Sequence, residues 1–178
     1  MERRQVLKAG GVAATTGLMG LAGCSGSNPD VSDLTDTPSN GSTNTVLMVT
    51  EGSDYYFDPI GLFVEPGETV TFEIDSGSHS ATAYSENGQA SVTRIPDGAE
   101  PFDSGILTEQ GATFEQTFES PGTYDYYCTP HKGLEMVGRI VAGEPGGPAD
   151  GSMPPDGDVP ESQTIVDQGA VSYSDFSG

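Results

Sequence analysis

Nine residues constrain this chain more than any others. Cys128-Thr129-Pro130-His131-Lys132-Gly133-Leu134-Glu135-Met136 offers a thiol, an imidazole and a thioether, spaced Cys-x2-His-x4-Met. β-like runs flank them, Thr123-Tyr124-Asp125-Tyr126-Tyr127 before and Val137-Gly138-Arg139-Ile140-Val141 after. A tight loop between two strands turns Cys128 and His131 toward one point and brings Met136 back beneath them. The set lacks a second nitrogen, and the one other histidine is His79, 49 residues before Cys128. Of the two cysteines, Cys24 belongs to a separate motif, so Cys128 has no disulfide partner. Taken singly, each residue also suits a plainer role: Cys128 an inert buried thiol, His79 a loop histidine, Met136 core filler. Their coincidence favours a metal set.

Short strand signals continue through Thr45–Ala142. Thr45–Thr50 is apolar and β-branched, and Gly61–Val64 runs into Glu65-Pro66-Gly67-Glu68, where Pro then Gly suits a type II turn. Thr69–Asp75 alternates with Val70, Phe72 and Ile74 on one face. Ala112–Phe118 turns Phe114 and Phe118 inward, Ser120-Pro121-Gly122 turns the chain, and Thr123–Cys128 sets Tyr124, Tyr126 and Cys128 on one face. Between Ser85 and Gly111 the breakers Asn87-Gly88, Pro96-Asp97-Gly98 and Pro101 leave one or two short strands and long loops. No helical period exceeds two turns. The expectation is an all-β, antiparallel sandwich spanning 45–142.

The ends differ in kind. Residues 1–23 carry Arg3-Arg4 and Leu7-Lys8, then a small-residue apolar run from Ala9 to Ala22, too short to span a bilayer. Arg3-Arg4 resembles a twin-arginine export signal, although Val6 stands where Phe is usual and Glu2 where Ser or Thr is. Leu21-Ala22-Gly23-Cys24 resembles a lipobox, which makes Cys24 the expected lipid attachment site. Residues 24–44 hold Val31 and Leu34 among Ser, Thr, Asn, Asp, Pro and Gly, and read as a flexible tether with a glycosylation acceptor at Asn40. Residues 143–178 are acidic and rich in Gly and Pro, a composition that predicts disorder. Ile165-Val166 and Val171-Ser172-Tyr173 are the two places where this tail could add an edge strand.

Charge narrows the partners. Six basic residues face 27 acidic ones, a net charge of −21. Arg3, Arg4, Lys8 and Glu2 all precede Ala9, so the remainder keeps three basic and 26 acidic residues, a charge of −23. Such a surface repels nucleic acid and anionic lipid, and suits concentrated salt, where self-repulsion is screened. No P-loop, dinucleotide fingerprint or zinc-finger cysteine pair occurs.

In loop spacing and surroundings, Cys128, His131 and Met136 with His79 resemble the cupredoxin family, among them plastocyanin, pseudoazurin and the halocyanins of salt-loving archaea. The resemblance covers the 98 residues of Thr45–Ala142. It implies a Greek-key β-sandwich holding one type 1 copper through His79, Cys128, His131 and a weak axial Met136. It also implies electron exchange through His131, amid apolar neighbours such as Pro130 and Leu134, with acids such as Asp54 remote from that contact. Plastocyanins often carry Asn after the first histidine, where it ties the two ligand loops; here the position holds Ser80. Tyr127 matches a plastocyanin tyrosine at the partner-facing surface, though an aromatic there also suits plain packing.

The implied function is single-electron shuttling at the outer face of the cytoplasmic membrane by a lipid-anchored, exported monomer. Its partner would be a redox protein or respiratory complex. Two histidines leave none for a second copper centre, so no enzyme is expected. A copper-delivery protein with the same ligands but no redox partner is the alternative.

Overall fold

The computed structural model describes residues 44–86 and 90–177. The export-signal segment, Cys24, Asn40, all of the tether before Asn44 and the Asn87-Gly88 turn lie outside the described residues.

Alternation builds the first sheet. β1 (Thr45–Glu51) buries Val46 and Met48, and β2 (Asp54–Asp58) buries Phe57. After β3 (Gly61–Val64) the chain makes β4 (Thr69–Ile74), which buries Val70, Phe72 and Ile74. β5 (Thr82–Ala83) precedes a long irregular stretch, and β6 (Thr113–Thr117) follows it. β7 (Gly122–Tyr127) and β8 (Val137–Ala142) then complete the domain seen in the sequence. The sheets run β2-β1-β4-β6 and β5-β7-β8-β3, the second extended at its β3 edge by β9 (Ala170–Val171). Their facing side chains, among them Phe57, Phe72, Phe118, Tyr126 and Ile140, form the main core.

This is the expected sandwich with one correction: both sheets are mixed rather than wholly antiparallel. β1 runs parallel to β4 with Val46 opposite Phe72, and β3 parallel to β8 with Leu62 opposite Ile140. Parallel neighbours need a long connection. The chain supplies it by crossing to the other sheet for β3 before returning to lie beside β1.

The tail calls for a second correction. Residues 143–177 are not a disordered appendage. Ala149, Val159, Ile165 and Val171 are buried, and the segment forms α1 (Ser162–Gln168), β9 and α2 (Tyr173–Ser177). Val171, one of the two candidate strand sites, does pair with β3, opposite Gly61, whereas Ile165-Val166 lies in α1. A Cβ on Gly61 would stand 2.8 Å from Ile165 Cδ1, so glycine is what lets α1 approach the sheet.

Composition misled because a few buried apolar residues, Val159, Ile165 and Val171 among them, act together with two arginines to hold this tail. Asp125 on β7 and Arg139 on β8 are register partners on the face away from the core. Arg139 grips Asp125 with two bonds of 2.7 and 3.1 Å, and Arg94 adds a third at 2.8 Å. The remaining guanidinium N–H groups donate to carbonyls of the tail: Ala149 at 3.0 and 3.2 Å, Ser152 at 2.7 Å from each arginine, and Pro160 at 3.1 Å. Buried backbone carbonyls need donors. Two arginines sharing one carboxylate provide them to a segment that has no sheet of its own. With the core on one side and the tail on the other, every residue of β7 and β8 is buried.

Candidate metal centre

Cys128 directly follows β7, and a 3-10 turn at Thr129–Leu134 carries the chain away from it. Glu135 adopts a left-handed conformation, φ 62°, and its N–H bonds His131 O. That reversal returns the chain so that Cys128 N–H donates to Met136 O at 3.0 Å. The loop therefore closes on itself with Cys128 and Met136 side by side. Both are fully buried members of the main core, whereas His131 is half-buried between exposed Pro130 and Leu134.

His79 arrives from the other sheet. A bend at Ser76-Gly77-Ser78 follows β4, and two backbone bonds to Leu107, of 3.0 and 2.8 Å, pin His79 in place. Gly77 has φ +84°, and a Cβ there would collide with Thr50 Oγ1 and come within 3.0 Å of His79 Nε2. Only glycine fits.

The three side chains converge. His79 Nδ1 lies 3.6 Å and His131 Nδ1 3.4 Å from Cys128 Sγ, and the three donor atoms all fall within 4.8 Å of one another. Two donors bound to one ion at about 2.0–2.3 Å each can be no more than about 4.3 Å apart. Both nitrogen–sulfur separations satisfy that limit. His79 Nε2 sits 2.8 Å from Ser76 O and 3.0 Å from Thr50 Oγ1. A carbonyl only accepts, so Nε2 carries the proton and the Nδ1 lone pair faces the sulfur. Two imidazoles with a thiolate and a nearby thioether form the soft, mixed set that copper prefers. The residues fit the metal.

Burial shifts the titration of all three donors. It lowers the pKa of His79, with the neighbouring His131 adding to the effect against the Ser76 hydrogen bond. It lowers that of His131 as well. Burial raises the Cys128 thiol, opposed by the backbone N–H groups of Ser80 and His131. Burial thus disfavours the charged form of all three groups, and binding a cation would displace the thiol proton.

Ser80 does what its short side chain left open. Its N–H donates to Cys128 Sγ at 3.4 Å, and its hydroxyl accepts from Thr129 N–H at 2.8 Å. The hydroxyls of Thr82 and Thr129 complete this cross-link between the two ligand loops, each contact 3.1 Å. Tyr127 takes the packing role. It is buried under Tyr84 and Lys132, and its hydroxyl has no hydrogen-bond partner among the described residues. The aromatic that does reach the site is Tyr55, stacked on His131 with ring centroids 3.9 Å apart and planes 16° apart. The alternation of Tyr55 and Phe57 in Asp54–Asp58 was the signal for that strand.

Comparison with known proteins agrees with the geometry. Residues 44–143 match the family model described as copper binding proteins, plastocyanin/azurin family. Halocyanin of Natronomonas pharaonis is 31% identical over 169 residues, covering 78% of this chain and 95% of that protein. Chloroplastic plastocyanin of Hordeum vulgare is 35% identical over 96 residues, covering 54% of this chain and 60% of that one. A solved pseudoazurin from Hyphomicrobium denitrificans is 28% identical, with a TM-score of 0.47 over 57% of this chain and 75% of that one. The matched span contains both sheets, apart from β9, and all three converging donors. The chain therefore belongs to the plastocyanin/azurin family of copper-binding proteins, the cupredoxins, and is a copper electron-transfer protein.

Proposed function

We propose that this protein carries single electrons at the outer face of the cytoplasmic membrane, as a monomer tethered by lipid on Cys24. His79, Cys128, His131 and Met136 hold the copper. The observation that carries the reading is the placement of two Nδ1 atoms at 3.4 and 3.6 Å from the sulfur of a fully buried cysteine. Copper, when bound, supplies a one-electron couple whose two states share these donors. The chain contributes rigidity. Ser76 fixes the His79 ring, Ser80 ties the loops, Tyr55 stacks on His131, and the core excludes water from Cys128 and Met136. A sulfur with no exposure suits retention better than hand-over, which favours electron carriage over copper delivery. With both histidines used, none remains for a second copper centre, so the protein is read as a carrier and not an enzyme.

The location rests on Arg3-Arg4 and Leu21-Ala22-Gly23-Cys24. Mass spectrometry of the native protein should find a lipidated Cys24 as the first residue. An unmodified chain starting at Met1 would rule the anchor out.

Docking should rely on apolar contact. Among the described residues the three cations are all engaged, Arg94 and Arg139 with Asp125, and Lys132 with Asp156. The surface thus presents acids without free cations, as suits concentrated salt. There the Debye length is about 3 Å or less, so charge steering fades. Leu134, 56% exposed beside His131, is the contact to test. Leu134→Glu should slow electron exchange with the native partner at least about tenfold in stopped-flow at high salt, because burying a leucine is worth about 1.5–3 kcal/mol. Asp54 is no remote control, since it lines the same groove as Leu134. Glu65, exposed just past β3 where Val64 pairs with Ala142 at the end of β8 remote from the loop, serves instead, and Glu65→Gln should change little. The reverse ranking would show that charge selects the partner.

A further inference from the structure

We infer that residues 149–160, which lie beyond the family-matched span, form a strap that positions the His131 loop, with Asp156 as its positioning residue. The inference rests on reading His131 as a copper ligand.

The strap is fixed on both sides of its working point. Arg94 and Arg139 hold the carbonyls of Ala149 and Ser152 before it, and Arg139 holds that of Pro160 after it. Between these latches, Asp156 Oδ2 accepts the Tyr84 hydroxyl at 2.8 Å and pairs with Lys132 Nζ at 3.4 Å. Lys132 is the neighbour of His131, and its ammonium also lies 4.5 Å from the centroid of the Tyr127 ring, next to Cys128. The carboxylate thus holds Lys132, next to His131, and through the Lys132 ammonium it reaches the Tyr127 ring, next to Cys128. Gly157 touches the other limb of the loop. A Cβ there would meet Val137 Cγ2 at 2.8 Å and Glu135 O at 3.1 Å, so the strap's backbone lies directly against the reversal that delivers Met136.

The loop has use for such bracing. Two of its internal bonds are long, 3.2 Å from His131 N to Cys128 O and 3.4 Å from Met136 N to His131 O. Gly133 sits within it with open space around its backbone. A carrier that changes charge with little movement needs its ligands held from outside, and packing with hydrogen-bonded support is how a site is kept in place.

Asp156→Ala tests this in the full-length protein. In the copper-free form, amide hydrogen exchange at His131 and Met136 should accelerate about tenfold, the equivalent of losing one hydrogen bond to a charged group. Exchange in β4, for instance at Phe72, should stay unchanged. In the copper-loaded form the midpoint potential should shift while the visible colour persists. Asp156→Asn keeps an acceptor for Tyr84 and should recover part of the protection. Unchanged exchange in the loop, or acceleration in step with β4, would overturn the strap. If the unsubstituted protein takes up no copper, the ligand reading fails by itself, and the exchange data still judge the strap.

Discussion

Cys128→Ser should abolish the intense colour of the Cu(II) protein completely while leaving the sandwich folded. The thiolate is the one donor in the set that forms only when metal binding displaces a proton, which leaves to solvent, and with the thioether it is one of the two soft donors. A serine hydroxyl at the same place stays protonated near neutral pH and is a hard, weak donor. Cys128 is fully buried in the main core, and serine is smaller by little, so the strands around it persist. Met136→Leu should behave differently. It conserves volume in a fully buried position, a swap that usually costs under about 1.5 kcal/mol. Removing only the thioether should keep the colour and shift the potential. Spectra unchanged by both substitutions would place the metal elsewhere.

Arg139→Met should be the most destabilising substitution away from the metal. Arg139 and Asp125 are both fully buried, and the guanidinium serves Asp125 and the tail carbonyls of Ala149, Ser152 and Pro160 at once. Breaking a buried pair by removing one partner costs about 3–5 kcal/mol. Against a domain stability of about 5–15 kcal/mol that is a large share, and it should lower Tm by more than about 10 °C. Salt should not rescue the variant, because a buried pair is screened little. The tail should also become open to proteolysis. A Tm within about 3 °C of the parent, or a tail still resistant to protease, would mean that Arg94, α1 and β9 hold it without Arg139.

These two substitutions mark what could and could not be seen in the linear chain. Cys128, His131 and Met136 lie within nine residues, and Val70, Phe72 and Ile74 keep a period of two, so the loop and the strand type left local signals. The structure brings His79 to Cys128 across 49 residues, an approach implied by the count of two histidines, by the Ser76-Gly77-Ser78 turn before His79 and by the resemblance. The clamp on the tail left no period at all. It depends on side-chain contacts to carbonyls 10 to 58 residues away, which a count of apolar residues ignores. A hint was present in Asp125 between Tyr124 and Tyr126, and in Arg139 between Gly138 and Ile140. Charges at the centres of otherwise apolar strands ask for partners on the outer face. The parallel pairings of β1 with β4 and β3 with β8 were hidden for a related reason: strand periodicity tells which face is buried, not which neighbour lies alongside. Ser80 shows the limit of reading departures by size alone, since a shorter hydroxyl still reaches Thr129 N–H at 2.8 Å.

The most direct test of the central claim is a Cu(II) titration of the copper-free protein, followed by visible absorption and then cyclic voltammetry. The account predicts an intense visible band that saturates at one copper per chain, bleaches on one-electron reduction and returns fully on reoxidation. No such band, saturation at more than one equivalent, or an irreversible wave would contradict it.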